Sequence, residues 1–157
     1  MIGVIPNPKK TITIDFPLDK VKVSIERVEK LDKKYKFTKS NPIFNQTTFE
    51  ATEFLSLGVY IDINLSSVNE NKTEITIEIR RKIGSFDQSH EVSNANKHID
   101  TMFEIIGKGL TYNDTEFAQL TEAANVQTEV KGKKKTKWVW IIVAIWILSY
   151  LILKFAK

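Results

Sequence analysis

The sequence predicts an α+β domain, a two-layer β-α-β-β-β-β-α arrangement with a curved antiparallel sheet packed by two helices, followed by one C-terminal transmembrane helix. Three patterns carry this. Two neighbouring segments alternate apolar and polar residues with period two over 57–65 and 73–80. Two others, after Pro17 and after Ser89, repeat apolar residues at helical spacing. A last run, Trp138 to Leu153, holds no charge. Alternation gives a strand one dry face, and a spacing of three to four gives a helix one apolar stripe.

Taken in order, Thr11 to Phe16 alternates and predicts a first strand with Ile12, Ile14 and Phe16 inward. Pro17 suits the first position of a helix. Leu18, Val21, Ile25 and Val28 then form a stripe that predicts a helix to about Leu31. Tyr35 and Phe37 mark a short strand ending before Asn41-Pro42, and Ile43 to Glu53, rich in Thr and Phe, reads as the next. The clearest hairpin pairs Leu57–Leu65 with Thr73–Arg80 across a polar turn, Ser66 to Asn71. Leu57, Val59, Ile61, Ile63, Leu65, Thr73, Ile75, Ile77 and Ile79 are expected inward. Tyr60, Asp62, Glu74, Glu78 and Arg80 are expected on a solvated face. Gly84 to Ser89 reads as a turn with capping side chains. The second helix follows, with Val92, Ala95, Ile99, Phe103 and Ile106 on its stripe and Met102 and Leu110 beside it. Gly107-Lys108-Gly109 is expected to end it.

This order, with the entry Asp15-Phe16-Pro17-Leu18-Asp19-Lys20-Val21, resembles the TATA-box-binding-protein-like and helix-grip architectures, including a shortened Bet v 1/START-like domain. The resemblance covers about residues 10–110. It implies a sheet gripping a long C-terminal helix, but no particular activity.

The run WVWIIVAIWILSYLIL, counted on through Lys154-Phe155-Ala156, approaches the roughly 20 residues that span a bilayer. Lys154 reaches the far headgroups by extending its stem. Trp138 and Trp140 at one end and Tyr150 near the other suit interfacial belts. Lys131, Lys133, Lys134, Lys135 and Lys137 precede the run, against Lys154 and Lys157 after it. That asymmetry predicts a tail-anchored, single-pass protein with its N-terminal domain in the cytoplasm, by default at a bacterial plasma membrane. The same lysines predict attraction to anionic headgroups. The start, MIGVIPNPKK, lacks an apolar run of signal-peptide length. The expected organisation is a soluble domain over 1–110, a tether over 111–130, a polybasic segment over 131–137 and a spanning helix over 138–156. A short helix is expected around Glu116 to Ala124.

Of the formal charge of +4, the seven lysines from Lys131 onward contribute +7, leaving −3 on residues 1–130. Only Arg80-Arg81-Lys82 is a basic cluster outside the tail, so nucleic acid is not an expected partner. The absence of cysteine excludes disulfides and thiolate metal sites. No catalytic, cofactor or metal motif is recognised. His90 and His98, eight residues apart and off the expected stripe, read as two solvated histidines.

The candidate ligand or partner residues are Thr47, Arg81, Ser85, Asp87, Gln88 and His90. Thr47 and Asn45 share the inward face with Phe49 and Ala51, as polar lining of a cavity would. Arg81 falls inward by alternation, either turning out at the strand end or lining a cavity mouth. The connection Gly84–His90 gathers more polar groups than capping needs. Two functions are expected to compete. One is a non-catalytic interaction module holding another protein at the membrane. The other is a lipid- or small-molecule-binding domain. A cavity above roughly 300 Å³ with convergent polar groups favours the second; a filled core with an exposed apolar patch favours the first.

Overall fold

The computed structural model describes residues 5–52, 58–113 and 115–119. The chain divides into two compact units, Met1–Asn113 and Asp114–Lys157. In the first, β1 (Lys9–Ile14) leads to α1 (Leu18–Glu26) and α2 (Val28–Leu31). Strands β2 (Tyr35–Asn41), β3 (Gln46–Ala51), β4 (Val59–Asn69) and β5 (Lys72–Arg81) follow, and then α3 (Ser89–Thr111). In the second, residues 115–119 are helical. The segments expected to be polybasic and membrane-spanning lie outside the described residues. Among the described residues, no helix is long and apolar enough to cross a membrane.

All five strands form one antiparallel sheet in the order β1-β5-β4-β3-β2. The β4–β5 hairpin has the expected register, with Ile61 opposite Ile79, Ile63 opposite Ile77 and Leu65 opposite Ile75. Its inner face is buried under the helices with Phe49, Ala51 and Tyr35 from the edge side. Val21, Ile25 and Val28 from the first two helices and Ala95, Ile99, Met102 and Ile106 from α3 complete the core. Continuous burial of this kind excludes water and supplies the main driving force for folding.

Four local readings differ from expectation. The first helix breaks at Arg27, whose backbone joins two helices rather than one. The gain is a tertiary cap: the Arg27 guanidinium donates to the carbonyls of Gly109 and Tyr112, both at 3.0 Å. It thereby satisfies the end of α3 and complements its dipole. Second, α3 runs through Gly107 and Gly109 instead of stopping there. Gly109 is needed inside the helix, because a Cβ there would lie 2.4 Å from the buried Ser24 Oγ. Third, Ile43 and Phe44 are not in a strand. They form the β2–β3 turn, which closes on Asn45 at φ 47°. Asparagine tolerates this left-handed conformation better than most residues do. Fourth, no side chain caps α3; Gln88 is its N-cap residue, and its carbonyl receives Glu91 N and Val92 N.

Candidate functional site

One end of the sheet holds an open groove of about 440 Å³. Its floor is apolar, built by Phe49 of β3 and Leu65 of β4, with Ile25 of α1 opposite. Phe37, Ser40 and Pro42 of the β2 edge form one lip, and Asn45 and Thr47 bring polar groups to the inner face. Lys22, Glu26 and Glu29 line the helical wall. This mixture arises simply. A strand sends Thr47 and Phe49 to the same face, and α1 sets Lys22 and Glu26 one turn apart beside the buried Val21 and Ile25, with Glu29 and the buried Val28 following on α2. Glu29 also ties the two walls together, since its Oε2 accepts from Phe37 N at 3.3 Å. The groove therefore offers a dry floor for an apolar body and polar groups of both charge signs around its mouth.

Of the residues expected at a site, Thr47 lies in this groove and the other five do not. Arg81 sits at the opposite end of the sheet, opposite Val59. Its guanidinium donates to Ser85 O and to Glu91, each at 3.0 Å, and lies 3.8 Å from Asp87. It clamps the β5–α3 connection rather than opening into a cavity. Phe86, buried beneath, pins the same connection, and its carbonyl accepts from Ile5 N. Gln88 and His90 are exposed at the start of α3. Asn45 and Phe49, expected on the same face as Thr47, lie in the groove with it, and the other groove residues escaped sequence reasoning. A readable signal existed in Lys22, Glu26 and Glu29, which follow i, i+4, i+7 spacing beside the apolar stripe of the first helix.

His98 corrects the expectation of two solvated histidines. It is only 3% exposed, and its Nδ1 lies 3.1 Å from the buried Tyr35 hydroxyl. The stripe of α3 is centred on Ala95, His98, Ile99, Met102, Ile105, Ile106 and Gly109, which places the imidazole between helix and sheet. The pair links α3 to the first residue of β2 as a satisfied polar contact within the core.

The outer face also departs from a plainly solvated one. Asp62 is 5% exposed although it points away from the helices. Thr48 Oγ1 donates to it at 2.7 Å, and Arg80 Nε donates to its other oxygen. Burial pushes the Asp62 carboxyl up, but the bonds from Arg80 and Thr48 outweigh this and hold it below the usual carboxylate value. Alongside, Lys82 bonds Glu50 at 2.7 Å and lowers its pKa. Arg80 and Lys82 both lie over the Tyr60 ring, at 5.5 and 5.4 Å. Each member of the Arg80-Arg81-Lys82 cluster is thus paired with a carboxylate. Glu78 stands opposite Asp62 in the register, whereas Glu74 stands opposite Ser66. Among the described residues, no group of three or more potential ligands could hold a metal ion.

No protein-family model matches the chain, and no curated protein matches it. Solved structures with similarity include the di-domain aromatase/cyclase BexL of the BE-7585A biosynthetic pathway. It is 10% identical, with 69% of this chain and 46% of that one covered and a TM-score of 0.46. A conserved protein from Geobacillus kaustophilus is 12% identical, with coverage of 67% and 95% and a TM-score of 0.49. A START superfamily protein from Mycobacterium smegmatis is 10% identical, with coverage of 73% and 98% and a TM-score of 0.42. START-like structures, the class that the element order resembles, are thus among those similar to this chain. The fold assignment itself rests on the strand order and register described above.

Proposed function

We propose that the domain binds a small apolar or amphipathic molecule, such as a lipid, in the groove between α1 and the inner face of β2, β3 and β4. The observation that carries this reading is the groove itself. Its volume of about 440 Å³ falls within the roughly 300–1,000 Å³ of small-molecule sites, and an apolar floor with a few polar groups is their usual lining. Phe49, Leu65 and Ile25 would take the apolar body, while Thr47, Asn45 and Lys22 would orient a polar head. The role we assign is binding without catalysis.

The uncharged run from Trp138 to Leu153 and the lysines before it support a second element of the reading, a tail anchor with the domain on the cytoplasmic side. Tethering would raise the effective concentration of a membrane-derived ligand without any added contact.

Native mass spectrometry of the full chain, released from mild detergent, tests the binding. A bound mass is expected for the native sequence. It should vanish in Thr47→Trp, which fills the groove from a half-buried position, and persist in Arg81→Lys, at the other end of the sheet. A bound mass that Thr47→Trp leaves in place, or an apo spectrum throughout lipid titration, would sink the proposal. Flotation with vesicles after an alkaline wash reads the anchor separately; release of the protein into the wash would count against it.

A further inference from the structure

The groove has a sign as well as a shape. Three charged side chains line it, Lys22, Glu26 and Glu29, so carboxylates outnumber the single ammonium. Lys22 is itself drawn to Asp19, whose Oδ1 lies 4.0 Å from its Nζ. Glu29 accepts from the main-chain amide of Phe37, which leaves its charge in place. Among the described residues, no ion pair joins Glu26 or Glu29 to a cation. The lysines of β2 do not alter this balance, because they belong to the outer face. Lys36 stands opposite Glu50 and Lys39 opposite Thr48, and these two partners bond Lys82 and Asp62 there. The lip is aromatic. Phe37 is 52% exposed and meets Phe49 edge to face, with ring centres 6.2 Å apart and planes at 82°. The face of an aromatic ring carries negative charge density and attracts a cation, most strongly where water is displaced. An exposed ring beside two uncompensated carboxylates therefore suits an ammonium. An anionic head would be repelled by the same carboxylates, and a neutral one would leave them unused.

We propose that the molecule bound in the groove is a cationic amphiphile, with its apolar body on Ile25, Phe49 and Leu65 and an ammonium head at the mouth, between Glu26, Glu29 and the ring of Phe37. This charge assignment rests on the binding reading above and adds the class of ligand to it. The groove makes the site; the carboxylates set only its sign. Lys22, one turn before Glu26 on α1, takes an acceptor atom of the same head together with Thr47 and Asn45.

Decyltrimethylammonium, 1-decanol and decanoate share a hydrocarbon chain and differ in charge, so they separate the sign of the groove from its apolarity. Each is offered at the same concentration, below its micellar threshold, to the full chain in mild detergent, and native mass spectra give the bound fraction. The cation should bind roughly tenfold more tightly than the alcohol, and the carboxylate most weakly. Glu26→Gln combined with Glu29→Gln should bring the cation close to the alcohol and leave the alcohol unchanged. Both positions are exposed, and glutamine can still accept from Phe37 N at position 29. Phe37→Leu, which keeps the lip apolar, should weaken the cation by roughly threefold more than the alcohol. Equal binding of the three probes, or a preference for decanoate, would overturn the charge assignment and leave the groove reading standing. A cation preference that survives the paired glutamine substitutions would also overturn it. So would a cation that Thr47→Trp still binds fully, since it would lie outside the groove. If none of the three binds, the groove reading fails and the charge assignment falls with it.

Discussion

Gly109→Ala is expected to destabilise the protein by about 2–3 kcal/mol, although alanine is the better helix former. Alanine's advantage inside a helix is about 1 kcal/mol. Against it, the new Cβ would meet Ser24 Oγ at 2.4 Å and Ser24 O at 3.2 Å. Ser24 cannot step aside, since it is buried and donates to Ile106 O at 2.6 Å. Overpacking costs about 1–3 kcal/mol, and losing a buried hydrogen bond about as much again. The neighbouring glycine gives the contrast. A Cβ at Gly107 meets nothing within 4 Å, so Gly107→Ala should stabilise by about 0.5–1 kcal/mol. Urea midpoints of the full chain followed by far-ultraviolet circular dichroism separate the two. Tryptophan emission does not serve, as Trp138, Trp140 and Trp146 all lie in the tail. Equal signs for the two substitutions would refute the close packing of α3 on α1, and Ser24→Ala should recover part of the Gly109→Ala loss.

The second large effect lies at Asp62. Asp62→Ala removes the acceptor for Thr48, which is buried, and for Arg80, which is partly exposed and can turn to water. A loss of about 2 kcal/mol is expected, below the 3–5 kcal/mol of a fully buried broken pair. The pH dependence has a definite sign. Folding lowers the pKa of Asp62, so the unfolded chain binds the proton more readily. The stabilisation is therefore complete above the unfolded value of about 3.9 and is lost as pH falls through the lower folded value. Denaturation midpoints at neutral pH and near pH 3 should converge for the native sequence and Asp62→Asn. A gap that stays the same across this interval would mean the carboxylate charge contributes nothing.

The fold was legible where one rule governed many residues. Period-two alternation in β4 and β5 placed the inward isoleucines, because a slip by one residue would have reversed the whole face. The element order followed from such segments. The misreadings came where a tertiary partner overruled a local signal. Gly107 and Gly109 look like a helix stop, yet Gly109 is small because Ser24 presses against it. Ile43 and Phe44 look like strand residues, but Pro42 and Asn45 turn the chain around them. His98 reads as lying off the stripe drawn through Val92, Ala95, Ile99, Phe103 and Ile106, yet its spacing from Ala95 and Met102 puts it on the buried one. The groove was only partly visible for a related reason. Alternation finds Thr47 on its strand, but nothing local says that a charged row of the first helix lies across from it. Arg81 showed the opposite failure, since its inward position was readable and its partners Glu91 and Ser85, brought in by the turn, were not.

The placement of β1 at the sheet's edge has a kinetic consequence. The β4–β5 hairpin closes over a tight turn between Asn69 and Lys72, and β2–β3 closes as locally. Strand β1 instead pairs Lys9 with Glu78 and Ile14 with Thr73, contacts separated by most of the domain's length. Ordering so long an intervening chain has an entropic cost that must be met before the pairing returns anything. The two hairpins should therefore form early and β1 should add last, like a latch closing on a frame already built. Amides of β5 facing β4 would gain protection in pulsed hydrogen exchange before those bonded to β1; simultaneous protection would show instead that the sheet condenses in one step. A chain that assembles in this order spends its folding time with the β5 edge open, so the N-terminal strand determines when the domain becomes safe from pairing with a stranger.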